Sequence, residues 1–233
     1  MSADPLIFLP GFMCDARLYW HQIIAFSADR AVIAAPLSGA TVEEMAEHVL
    51  AVAPPRFALV GHWLGGLVAM EVARRVPERV SGLALIDVSP LAETPAQAAS
   101  REPRIIRART GRLDEVMLEE IPAAALAPGE GRAEVQAMLL EMAGTLGPEL
   151  FTSQSRALMR RPDQQRALRN LRVRTLLICG AYDTICPPRR HEFLAELMPQ
   201  AAFRLIPGAG HLAPLEQPLL VTEALRDWLD APR

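Results

Sequence analysis

The chain of 233 residues contains no lysine; all 24 of its basic residues are arginine. With alanine so abundant, this points to genome composition rather than to a phosphate-binding role. Cysteine is scarce and odd in number, and Cys14, Cys179 and Cys186 show no metal-like spacing. That argues against a disulfide framework and against a cysteine metal site, and free thiols in a reducing cytoplasm are the simplest expectation. No apolar run approaches the ~20 residues a bilayer span needs, so no membrane insertion is expected. The segment Met1-Ser2-Ala3-Asp4-Pro5 lacks the basic start and apolar stretch of a secretory leader. A net charge of −3 offers no basic surface to a nucleic acid. Hydrophobic residues make up 51% and charged residues 22%, an ordinary balance for one sizeable globular domain.

Short apolar runs are spaced along the chain as buried strands. Leu6-Ile7-Phe8-Leu9 stops at Pro10-Gly11, and further strands are expected over residues 31–35, 57–60, 82–88, 174–179 and 202–206. Between them lie helical patterns. Asp15 is a candidate cap for a helix through Leu18, Gln22 and Ile23. Thr41 is a cap with Glu44 reaching back, and Pro54-Pro55 ends that helix. Helices are also expected over about 64–76, 188–198 and 215–230. Strands alternating with helices, several of them continuous apolar runs, predict a mostly parallel sheet with helices on both faces. Residues 91–170 break the alternation. Helical spacing around Ile105-Ile106, Val116-Met117 and Val135-Met138-Leu139 predicts an all-helical insertion over one end of the sheet. The expected division is a core of residues 1–90 and 171–233 and a helical cap of residues 91–170.

Three stretches carry the chemistry. The first is Gly61-His62-Trp63-Leu64-Gly65-Gly66, between a strand and a helix. A sharp strand-to-helix turn needs small neighbours, because its central residue is strained and the helix packs close to the strand; Gly61, Gly65 and Gly66 supply the room. The second places Asp183 just beyond the carboxyl end of a strand, where parallel sheets hold functional residues. The third places His211 in a Gly-Ala-Gly-His loop after the last strand. The order elbow, acid, base is that of the α/β-hydrolases.

The chain resembles an α/β-hydrolase of the small esterase type with a helical cap, over essentially its whole length. Leu9-Pro10-Gly11-Phe12 resembles the family's oxyanion loop, with Pro10 where a histidine is usual. Gly180-x-x-Asp183 and Gly210-His211 resemble the acid and base motifs, and Ile86-Asp87-Val88-Ser89-Pro90 the strand end leading into the cap. The resemblance implies a shortened core, since the family often has two further strands before the first one here. It also implies a Ser-His-Asp mechanism on a carboxylic ester. Asp183 would orient His211, His211 would move the proton, and the backbone N–H groups of Phe12 and Leu64 would hold the oxyanion. Phe12, Met13 and Trp63 are the expected substrate contacts. The expected partner is a small hydrophobic ester-like substrate or ligand. No metal and no organic cofactor is indicated, and the oligomeric state is open.

Trp63 stands where the nucleophile belongs. Indole has one N–H donor and no basic lone pair, so it cannot form an acyl-enzyme. Three explanations remain open: a hydrolase whose parental serine has been replaced, leaving this chain severely impaired; a small-molecule-binding protein on the hydrolase fold; or a lyase using His211 as a general base without a covalent step. Among the other candidates, Asp87 is the fallback acid and His62 a structural residue contacting nearby loops. His21, His48 and His191 read as surface or helix residues. Cys14 and Cys186 read as core or loop thiols rather than substitute nucleophiles. Trp20 and Phe12 are expected to line or pack against the pocket. Arg101, Arg104, Arg107, Arg109 and Arg112 read as a solvated helix face.

Overall fold

A computed structural model describes residues 3–231. Met1 and Ser2, which belong to the segment considered above for a leader, lie outside the described residues. Six strands form one sheet: β1 (Leu6–Leu9), β2 (Val32–Ala34), β3 (Phe57–His62), β4 (Val80–Ile86), β5 (Thr175–Gly180) and β6 (Ala202–Ile206). Their order is β2-β1-β3-β4-β5-β6, and every pairing is parallel. The four inner strands are buried almost throughout, which is why their sequences read as unbroken apolar runs rather than as alternation. β4 starts two residues before its expected start, and stops two before its expected end because Asp87 turns out of the strand at φ 48°.

The helices follow the strands: α1 (Trp20–Ser27), α2 (Val42–Val52), α3 (Leu64–Arg75), α4 (Pro95–Arg109), α5 (Leu113–Glu120), α6 (Arg132–Arg160), α7 (Gln165–Asn170), α8 (Pro188–Leu197), α9 (Ala213–Glu216) and α10 (Pro218–Asp230). Asp15 caps a 3-10 turn, Ala16–Tyr19, ahead of α1, by accepting from the Arg17 N–H. Thr41 accepts from the Glu44 N–H at 3.1 Å, while Glu44 reaches back to the Ala40 N–H at 2.8 Å, one residue before the cap. The helix expected over 215–230 is split at Gln217 (φ −136°, ψ 64°). Pro218 has no N–H to continue the ladder and pushes the residue before it out of the helical region.

Between β4 and β5 the described chain contains helices only. α4 opens on a reciprocal cap between Thr94 and Gln97, and α6 is kinked at Gly147, which takes φ 80° ahead of Pro148. This excursion meets the strand-end loops. From α6, Gln154 accepts from the Met13 N–H at 2.8 Å and donates to the Leu37 carbonyl at 3.0 Å. The Ala125 carbonyl accepts the His211 N–H at 2.7 Å. No helix of the described chain is long and apolar enough to cross a membrane. The topology also fixes where a ligand can sit: the chain leaves β1 toward β2 on one side and returns to β3 on the other. The crevice beyond the carboxyl ends of β1 and β3 is therefore a switch point of the kind where open parallel sheets bind ligands.

Candidate active site

β3 delivers Trp63 into that crevice. Trp63 has φ 44° and ψ −107°, a conformation costing about 1–3 kcal/mol for a residue with a side chain. The turn is held by main-chain bonds: the Trp63 N–H donates to Ile86 of β4 at 3.0 Å, and its carbonyl accepts the Leu67 N–H at 3.0 Å to open α3. The close approach needs its glycines. A Cβ on Gly65 would run into the carbonyl oxygens of Leu9 and Pro10, and one on Gly61 into the Gly65 carbonyl. Two more non-glycine residues take positive φ, Met13 (52°) and Asp87 (48°). The described chain thus concentrates its strained side-chain-bearing residues just after β1, β3 and β4.

His211 and Asp183 are both fully enclosed, and His211 Nδ1 lies 2.9 Å from Asp183 Oδ2. An ionised carboxylate only accepts, so Nδ1 carries a proton, and the neutral ring has its lone pair on Nε2. Nε2 has no partner among the described residues. The other oxygen of Asp183 accepts from the N–H groups of Ile185 (2.8 Å) and Cys186 (2.9 Å). Burial pushes the Asp183 carboxyl up, but His211 and those two N–H groups outweigh it and hold the group below the usual carboxylate range. The Trp63 ring meets the His211 ring edge-on, with centroids 4.7 Å apart. On its other side it packs against Phe12 at 5.4 Å, and Phe12 in turn against Phe151 of α6 at 5.3 Å. The backbone N–H groups of Phe12 and Leu64 have no partner among the described residues. The neighbouring Met13 N–H is the one that Gln154 occupies.

Trp63, Asp183, His211 and Phe12, singled out in the sequence, lie together in the structure. Sequence reasoning missed what braces them. His62 Nε2 donates to the His211 carbonyl at 2.6 Å, and burial depresses its pKa to about 3, so the ring stays neutral. Asp87 is not bonded to His211. Its carboxylate accepts from the Gly180 N–H (2.9 Å) and the Ala213 N–H (3.3 Å), tying the acid loop to the base loop. Burial and the charge of Asp183 push the Asp87 carboxyl well up. Glu216 bridges base loop and helical excursion, accepting from Leu212 and Ala127. Apart from the Leu212–Glu216 bond, these partners are far apart in the chain and leave no local pattern in a sequence.

His191 is a helix residue, on α8, and is fully buried, accepting the Val88 N–H on Nε2 at 3.1 Å. Two expectations are corrected. Trp20 is 59% exposed and lines none of the crevice. Of the five arginines read as a solvated face, Arg109 and Arg112 are exposed, but Arg101 is only 6% exposed. Arg101 is held by Glu93 at 2.8 Å and lies over the Phe12 ring at 5.8 Å. A helical period locates one face of α4, and only the tertiary fold decides what that face meets.

A cleft of about 430 Å³ opens beside Trp63, with Arg101, Arg104, Arg161, Arg190, Glu93 and Glu120 among its lining. That lining is more polar than a small hydrophobic ester would require. Two trios bring ligand-type atoms within 4.8 Å of one another: Asp87, Cys179 and His191, and Asp183, Cys186 and His211. The Asp87 and Asp183 carboxylates, His191 Nε2 and His211 Nδ1 are already engaged in the bonds described above, and burial pushes both thiols up toward the protonated form, so neither trio suits a metal ion.

The model of the alpha/beta hydrolase fold matches residues 40–218. The chain is 32% identical over 202 residues to the pimeloyl-[acyl-carrier protein] methyl ester esterase of Aromatoleum aromaticum, covering 78% of each chain. It is similar to the solved structure of a thermophilic esterase from Thermogutta terrifontis, with TM-score 0.88, 28% identity, and coverage of 98% of this chain and 90% of that one. It shares its fold with the enol-lactonase from Burkholderia xenovorans at TM-score 0.86 and 21% identity, over 99% of this chain and 93% of that one. The strained turn after β3, the buried acid–base pair and the matches together lead to one assignment: the chain belongs to the α/β-hydrolase family.

Proposed function

We propose that this chain carries the machinery of a carboxylic-ester hydrolase of the Ser-His-Asp type, severely impaired because Trp63 occupies the position of the nucleophile. One observation carries this proposal. A buried His211, oriented by Asp183 and bare at Nε2, lies against the residue on the strained turn, with the unpartnered N–H groups of Phe12 and Leu64 alongside. With a serine at residue 63, His211 Nε2 would take the hydroxyl proton as the oxygen attacks the ester carbonyl. Asp183 would stabilise the imidazolium, and the proton would pass to the leaving alkoxide. The N–H groups of Phe12 and Leu64 would receive the oxyanion, each such donor being worth roughly 3–4 kcal/mol. Residues 91–170 act as the cap over this site, on the contacts that Phe151, Gln154 and Ala125 make with it. The three buried free cysteines favour a reducing cytoplasm.

The binding alternative is favoured by a different observation: the indole leaves the cleft of about 430 Å³ open beside it. A lyase route through His211 has no such support, because the indole crowds the imidazole. The test is Trp63→Ser, assayed beside the unaltered chain on short and medium p-nitrophenyl esters. The expected result is a gain of about 10⁴-fold or more in kcat, the scale on which a missing nucleophile counts. A serine variant that is folded and inert on every ester overturns the hydrolase proposal.

A further inference from the structure

We propose that the cleft beside Trp63 is a subsite for a carboxylate, so that the molecule this site takes is a small ester bearing an acid group rather than a purely hydrophobic one. The inference rests on the ester-hydrolase proposal for its ester half, and on the cleft alone for its carboxylate half.

Three of the four lining arginines are engaged. Arg161 donates to the Leu91 carbonyl at 2.9 Å and meets Glu93 at 3.4 Å. Arg104 donates to Glu120 at 3.1 Å. Arg101 spends Nε and Nη2 on Glu93, while its Nη1 is buried without a hydrogen bond, 3.6 Å from Glu120. Arg190 is different. It is half-buried, lines the cleft, and has no carboxylate or carbonyl partner for its side chain among the described residues. The lining acids are Glu93, Glu119 and Glu120, so the lining carries one more cation than it has anions.

The position of Arg190 strengthens the case. It sits in the first turn of α8, a turn with no acidic residue. A helix N-terminus presents partial positive charge, although here Pro187 and Pro188 have no N–H and the Arg190 N–H donates to the Pro187 carbonyl at 2.7 Å, so the guanidinium rather than the main chain is the donor on offer. A guanidinium there is repelled rather than stabilised unless an anion is supplied. Ile185 and Cys186, just before α8, line the same cleft, so that positive end borders the cavity that Trp63 faces. Arg101, stacked on Phe12 of the oxyanion loop, brings a second guanidinium to the wall. A planar carboxylate can take a forked pair of N–H donors from Arg190, and a single negative charge would balance the lining.

The experiment has two arms. In the first, binding to the unaltered Trp63 chain is measured by calorimetry for monomethyl glutarate and for methyl butyrate, its analogue without the acid group. At least tenfold tighter binding of the glutarate ester is expected, and Arg190→Gln should remove most of that advantage. In the second, Trp63→Ser is assayed on monomethyl glutarate and on 3-acetoxypropanoate, which carry the acid on the acyl and the alcohol side. Each is compared with its uncharged analogue. A preference of at least tenfold in kcat/KM for the charged ester in either pair, lowered by Arg190→Gln, is expected. Equal or absent binding of the two probes in the first arm, or an advantage unmoved by Arg190→Gln, overturns the subsite. An inert but folded serine variant overturns the hydrolase proposal and leaves the binding comparison to decide the subsite by itself.

Discussion

His191 offers a quantitative test of how α8 is attached to the sheet. The Val88 N–H donates to its Nε2 at 3.1 Å inside a fully buried site, so the fold accommodates only the neutral ring; a proton on Nε2 would abolish the bond. Burial accordingly depresses its pKa from the ordinary 6.5 to about 4. The unfolded chain therefore binds this proton first as pH falls. The contribution of His191 is intact above pH 6.5, drains between pH 6.5 and about 4, and is gone below that. Linkage at 1.36 kcal/mol per pKa unit puts the loss at about 2 kcal/mol by pH 5 and about 3 kcal/mol in full. Other groups titrate in the same range, and Asp87, pushed upward, works in the opposite direction, so a difference measurement is required. In His191→Gln the amide oxygen can still accept the Val88 N–H but does not titrate. Loss of the stacking on Phe203, at 6.3 Å, then appears as a constant offset. Urea unfolding of both chains at pH 7.5, 6 and 5 should show their stabilities converging by about 2 kcal/mol between the first and the last. Parallel pH profiles would refute the claim that His191 is held neutral by its bond to Val88.

Further expectations concern the site and its frame. In the Trp63→Ser background, Asp183→Asn should lower kcat by about 10⁴-fold, since an amide presents the wrong partner to Nδ1; a loss under tenfold would assign the acid role elsewhere. Gly65→Ala should destabilise the chain by about 3 kcal/mol or more, because the added methyl meets the main chain of Leu9 and Pro10. A shift below about 0.5 kcal/mol in chemical denaturation would contradict that packing. Gln154→Leu strips the partners from the Met13 N–H and the Leu37 carbonyl and should cost about 2–4 kcal/mol. In the serine background it should also lower kcat, because Met13 adjoins the oxyanion loop; an unchanged kcat would separate that bond from the site.

The strands were legible because apolar runs such as Leu176-Leu177-Ile178 can satisfy their surroundings only when buried on both faces of a sheet. The elbow, Asp183 and His211 were legible because each combines a strand end with small residues at short range. The roles of His62, Asp87 and Glu216 were not. Their partners, the His211 carbonyl, the Gly180 and Ala213 N–H groups, and the Leu212 and Ala127 N–H groups, are main-chain atoms. Any residue could supply those atoms, so no pattern of side chains announces them. Arg101 was misjudged for a related reason: its fate depends on Glu93 and Phe12 meeting α4, which helical periodicity does not encode.

The contacts that set the turn at residue 63 run through main-chain atoms of that residue and through its neighbours: the bonds to Ile86 and Leu67, the fit of Gly65 against β1, and the grip of His62 on the base loop. None of them depends on what the side chain of residue 63 is. The frame therefore requires no particular side chain at residue 63. In the standard genetic code UGG and UCG differ at a single base, so a hydroxyl at this position lies one nucleotide away from the indole. On the proposed hydrolase reading, a lineage carrying this fold could pass between a chemically competent pocket and a merely receptive one by repacking Phe12 and His211 alone, with the main-chain frame of the turn unchanged.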